Sequence, residues 1–223
     1  MDEHEELRRI ETDPGPRWFA PDALRPIHEL NRRLLSILIE ESRRRDGATP
    51  SAVALGELLV PVGDEILWRL ARVPISLVDA EFQFDDGWSA VAAGKRHDTV
   101  QLSEAPLPRA RVLELAALTF GLAATTAHSS RESARLIFGM SPVVADTFAN
   151  FTVDDVNWLS QARAHWVRPR WHDRPQQWGR LLLTAEHADA ARLPPVGIRA
   201  MNRLLADLEP ATSAEIETRH SRR

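Results

Sequence analysis

The 223-residue chain contains no cysteine. That removes disulfides, cysteine nucleophiles and thiolate zinc sites in one step, and it fits a reducing compartment. Glycine is scarce, with ten residues against fifteen prolines, a balance that favours helices punctuated by proline over the glycine-rich turns of an all-β chain. The start, MDEHEELRRIETDPGP, is acidic and polar, where a signal peptide would be basic and then apolar. No long uninterrupted apolar run occurs either: Val112 to Ala127 is broken by Glu114, Thr119, Thr125 and Thr126, which reads as too short and polar for a membrane span. These absences together lead us to expect a cytoplasmic protein without membrane contact. Excess positive charge is also lacking. The formal net charge is -4, so any nucleic-acid site has to be a local patch.

What is present is ordinary for a folded domain: 43% apolar and 27% charged residues, enough to bury a core and too apolar for global disorder. Residues 1–20 read as a mobile leader stopped by Pro14-Gly15-Pro16. From Pro21 the apolar residues Ile27, Leu30, Leu34 and Leu38 recur at helical steps. Arg43-Arg44-Arg45 suits the C-terminal end of that helix, Asp46-Gly47 stops it, and Thr49-Pro50 opens the next as N-cap and first residue. Short helices are expected over Asp64–Arg72, Ser76–Phe82 and Trp88–Ala93. Residues 95–108 read as a linker. A long helix over Arg109–His128 is apolar almost all the way round and is expected to be buried or to lie in a subunit interface. Helices over Ser130–Phe138, Pro142–Ala149, Val153–Ala164 and Gln176–Ala191 follow, then an amphipathic one using Ile198, Met201, Leu204, Leu205 and Leu208, and a polar tail from 209.

An internal echo runs through this order. Laying Val60–Trp88 over Phe138–Trp166 pairs Leu70 with Phe148, Ile75 with Val153, Val78 with Val156 and Trp88 with Trp166. Either the chain is a fused tandem of modules at 21–94 and 109–208, able to do alone what a symmetric dimer does, or two helical hairpins match by chance.

The segment Phe138–Trp171 is the most informative. Ser141-Pro142 begins a helix, Asn150 can end it, and Thr152 with Asp155 has the form of a capping box. Val153, Val156 and Leu159 then give the next helix its buried stripe. Two short helices meeting at a tight turn make a helix-turn-helix corner. In the order Phe138-Gly139-Met140, Phe148-Ala149-Asn150-Phe151-Thr152, Val156, Leu159 and Arg170-Trp171, this stretch resembles the FlhD family of helical transcriptional activators. Pro169 stands where the family has an aromatic residue. The family's FlhC-like companion carries a cysteine zinc site, which this chain cannot have. The resemblance implies an all-α, FlhD-like multi-helix bundle working in a bacterial regulatory complex, with a second regulator subunit or by self-association, on duplex DNA.

A basic, tryptophan-rich patch lies in the same region. Arg163, Arg168, Arg170, Arg174 and Arg180 stand against the single acid Asp173, interleaved with His165, His172, Trp166, Trp171 and Trp178. The DNA reading takes Arg163, His165, Arg168, Arg170 and Arg174 as DNA-facing residues, the arginines neutralising phosphates. The alternative takes the tryptophans as core anchors, with the arginine stems packed along the surface.

Signatures of catalysis are few. No glycine-rich phosphate loop and no Gly-x-Ser-x-Gly elbow occurs. His165, His172 and Asp173 match no standard metal spacing. Asp85-Asp86 and Asp154-Asp155 read as helix-start charges, since adjacent residues on a helix point apart. The chain is therefore expected to be a non-enzyme without cofactor or metal: an activator-type DNA-directed regulator or, alternatively, an adaptor or anti-activator with the same fold.

Overall fold

The computed structural model describes residues 21–44, 49–94, 107 and 109–187. The expected leader, the Asp46-Gly47 stop, most of the linker, the helix over Ile198–Leu208 and the tail lie outside the described residues.

Helix α1 spans Pro21–Arg44 and α2 spans Pro50–Leu59. Ile27, Leu30, Leu34 and Leu38 form one buried stripe of α1. The Thr49 side chain accepts from the Ala52 amide at 3.4 Å, with Pro50 at the first helical position. The backbones of α1 and α2 touch at Gly56: a Cβ there would overlap the Leu38 carbonyl oxygen and the Ser42 side chain. Helix α3, Asp64–Ala71, follows. Its end is clamped by Asn31 of α1, which is fully buried. Asn31 Nδ2 donates to the carbonyls of Ala71 (3.2 Å) and Ile75 (2.8 Å), and its Oδ1 accepts from Leu77 N at 2.7 Å.

Here the structure departs from expectation. Ser76–Phe82 is not a helix but an extended segment holding strand β1, Val78–Asp79. The cause is tertiary. Leu77 N is taken by Asn31, Ser76 N donates to Ile137 O at 2.8 Å, and Ile75, Leu77, Val78, Ala80 and Phe82 are all buried. A backbone whose groups are satisfied elsewhere gains nothing from a helical turn. Helix α4, Asp85–Ala92, comes next.

Helix α5 spans Arg109–Ser129, α6 Arg131–Phe138, α7 Pro142–Phe148 and α8 Val153–Ala162. A 3₁₀ turn over Ala164–Trp166, strand β2 over Arg168–Pro169 and helix α9 over Pro175–His187 complete the described order. Among the described residues the fold is all-α in character, helical apart from turns and the two short strands. By length and composition α5 would suit a membrane. It packs on α1, α6, α7 and α8, however, and buries Leu115, Ala116, Thr119, Phe120 and Ala123 completely, as a core helix does. Ser141 and Thr152 cap α7 and α8 as their residue types dictate, the latter with Asp155 in a complete capping box. Val153 is a correction: it is 77% exposed, because the first residue of α8 precedes the turn that faces α5. Val156, Leu159 and Ser160 carry the buried face.

The strands pair antiparallel, Val78 with Pro169 and Asp79 with Arg168. Subtracting or adding 90 residues exchanges the two pairs, so the ladder has internal two-fold symmetry. The same spacing relates Glu81 (φ 55°) to Trp171 (φ 54°), which are the positive-φ non-glycine residues among those described. It relates Phe84 N donating to Glu81 O (2.8 Å) to Arg174 N donating to Trp171 O (2.9 Å). It also relates α3 to α8, the start of α4 to the start of α9, and the identical residues Asp64/Asp154, Trp68/Trp158 and Trp88/Trp178. The repeat thus runs at 90 residues and not at the 78 of the Val60-on-Phe138 overlay. That overlay matches α3 to α7 and then sets a strand against a helix.

The two arms are exchanged. After β1, α4 packs on α7, and Trp88 meets Phe120, Phe148 and Trp166 of the other half at ring-centroid distances of 5.9, 4.8 and 4.8 Å. After β2, α9 returns to pack on α2 and α3. Packing therefore does not follow the expected division at 94/109, since each half is completed by the other's terminal helix.

Candidate functional site

The five residues expected to face DNA do not share a surface. Arg163 closes α8, is 5% exposed, and lies over the Trp158 and Trp166 rings at 5.6 and 5.2 Å. Arg170 is buried. Its Nη2 donates to the Phe138 carbonyl, and burial draws its pKa below the usual arginine value. Gly139 makes that bond possible. It ends α6 at φ 68°, and a Cβ there would come within 2.9 Å of Arg170 Nη2. Arg168, on β2, pairs with Glu81 at 2.7 Å and Asp79 at 3.6 Å across the ladder. Burial pushes the Glu81 carboxyl up; Arg168 opposes that shift and Asp79 adds to it. His165 is half-buried and held below the ordinary histidine range by burial and then by Arg163. Arg174 is exposed, 3.9 Å from Asp173.

A cluster in sequence has not become an exposed basic face, because Arg163 and Arg170 are buried and Arg168 is paired with Glu81. Three of the five guanidinium and imidazole groups serve the packing of the exchanged arms, and a phosphate needs an accessible cation. Of the tryptophans, Trp166 and Trp178 are core anchors; Trp178 Nε1 donates to Arg170 O at 2.8 Å. The outer face of α8 presents Asp154, Asn157 and Gln161, with no base for a recognition helix to use. Among the described residues, no three histidine, aspartate or glutamate side chains gather as a metal site would require.

The open feature of the surface lies elsewhere. A groove of about 470 Å³ runs between the end of α4 and the faces of α7 and α8. Its apolar lining includes Val91, Val143, Phe151 and Trp158, and its polar lining includes Asp146, Asn150 and Asp155. Among the described residues no basic side chain lines it. Val143 is 43% exposed, a large apolar residue at the rim. Asp146 is held at the surface by Arg131 (2.6 Å), and Asn150 Nδ2 donates to Asp146 O at 2.7 Å. Sequence reasoning passed over Asn31 and Asp146, and took Asn150 only as a helix end. A single polar residue in a helical pattern carries no local mark of what it will face.

Comparison with protein-family models, curated proteins and solved structures finds no match to the chain.

Proposed function

We propose that this chain is a non-catalytic protein-interaction adaptor built as a single-chain pseudo-dimer. The supporting observation is the contrast between its two polar regions. Arg163, Arg168 and Arg170 are engaged inside the fold, while the described residues form an acidic and apolar groove between α4, α7 and α8. Grooves that combine aromatic walls with a few polar groups suit peptide recognition. The acidic net charge is consistent with a protein partner.

The second reading is an activator-type, DNA-directed regulator acting with a second subunit. The FlhD-like order of residues favours it, together with Arg174, the one member of the expected contact set in the exposed class. The discriminating experiment measures duplex DNA binding by the full chain across salt, alongside affinity purification from the native host. The adaptor reading expects a stoichiometric protein partner and no salt-dependent DNA binding. Binding whose logarithm falls linearly with log salt would replace it with the regulator reading.

A further inference from the structure

The seam between the two halves is symmetric and self-completing. Each half donates an arm and receives one: α4 seats on α7, and α9 seats on α2 and α3. The two-fold of the ladder exchanges the pair Val78–Pro169 with the pair Asp79–Arg168. Backbone bonds cross the seam in both directions. Arg170 N donates to Leu77 O at 2.7 Å, Ser76 N to Ile137 O at 2.8 Å and Ser141 N to Phe82 O at 3.0 Å. Arg111 pairs with Glu40 at 2.5 Å, and Trp88 stands at the centre of aromatic contacts from the other half. All of these contacts are non-covalent. The chain joins the halves through residues 95–108, and such a join acts by raising the concentration that each half presents to the other. A seam of this kind does not record which molecule its second half comes from.

We infer that the partner this seam fits is a second copy of the chain. Two molecules exchange halves, the first half of each completing the second half of the other, to give a closed dimer with two seams. Closure follows from the exchange of arms: each half has one arm to give and one seat to fill, so two chains saturate one another. The inference goes beyond the adaptor reading and does not depend on it.

The ladder supplies the test. Arg168 of the second half pairs with Glu81 of the first at 2.7 Å and lies 3.6 Å from Asp79. Arg168→Glu sets carboxylates against one another across the seam, and Glu81→Arg sets two guanidinium groups together. When the two variant chains are mixed, opposite charges return to both seams only if halves are exchanged. Glu81 of one chain then meets Arg168 of the other, and the two introduced charges meet each other. Each variant and the mixture are unfolded in urea and refolded at a series of concentrations. Light scattering reads the mass, and energy transfer between two dyes reads the pairing. The dimer dissociation constant of the mixture is expected to lie roughly tenfold or more below that of either variant alone. Equal constants for the mixture and the separate variants overturn the inference. A second measurement holds even where a single variant fails to fold. Wild-type chains carrying the two dyes are refolded together at up to about 1 mM, where encounters between chains rival those within one. A dimer with transfer between dyes is the expected result; monomers at every concentration overturn the exchange.

Discussion

The arms that leave β1 and β2 begin alike and end differently. Each starts with a residue at φ near 55°, turns into a helix, and inserts a tryptophan into the opposite half. Trp88 enters a dense aromatic cluster of Phe82, Phe120, Phe148, Phe151 and Trp166. Trp178 is just as fully buried, and it donates its indole N–H to the Arg170 carbonyl. The helix of the first arm ends after two turns at Ala92, whereas that of the second runs on to His187 over α2 and α3. The pseudo-symmetric halves thus agree in what holds them together and differ where the arm's helix ends, because the end of a helix contributes least to the shared core.

The sharpest way to break this equivalence is to truncate the two tryptophans. Trp88→Ala should cost about 5 kcal/mol and Trp178→Ala about 3 kcal/mol in urea unfolding, the span seen for large aromatic truncations. Equal losses would mean that the aromatic cluster adds nothing beyond area. Next come the arginines of the second arm. Arg170→Ala should cost about 3 kcal/mol, since it strips a buried guanidinium from the Phe138 carbonyl, while Arg174→Ala should stay within about 0.5 kcal/mol. A silent Arg170→Ala would return that residue to the list of surface contacts.

The two glycines of the scaffold sharpen the comparison of halves. Gly56→Ala drives a methyl into the α1 backbone and should cost about 2–3 kcal/mol. Gly121→Ala on α5 meets nothing within 4 Å and should stabilise by up to about 1 kcal/mol. Thermal midpoints of both variants check the pair.

Acid sensitivity is the smallest effect. His28, whose Nε2 is buried without a hydrogen-bond partner, is pushed down to about 4 by burial and then by Arg72. His165 and His172 shift in the same direction, again chiefly through burial. A histidine harder to protonate when folded binds its proton preferentially in the unfolded chain. Stability is therefore full above the ordinary value near 6.5 and declines as pH falls from there toward 4. His28→Gln should flatten the thermal midpoint between pH 6.5 and 4. An unchanged slope would assign the decline to other groups.

Much of the local architecture was readable in advance, for physical reasons that can be named. Ser141-Pro142, Thr152 with Asp155, and Thr49-Pro50 satisfy orphan amides within three residues of themselves, so their caps depend on nothing distant. The stripe from Ile27 to Leu38 has only one periodicity to offer. Ser76–Phe82 was misread because its partners, Asn31 and Ile137, lie far away along the chain. The repeat was placed at the wrong spacing because one amphipathic hairpin resembles another. The identities at 64/154, 68/158 and 88/178 lie in the sequence, but the strand pairing and the left-handed residues at 81 and 171 are what fix the register.

The sequence by itself determined where helices start, which faces they bury, and that no thiol chemistry is possible. The tertiary structure alone decided that the arms exchange and that Arg163 and Arg170 go inside while Arg174 stays out. Helix caps and periodicity act within a turn or two of chain. The burial of a charge or the covering of a groove depends on what arrives from ninety residues away.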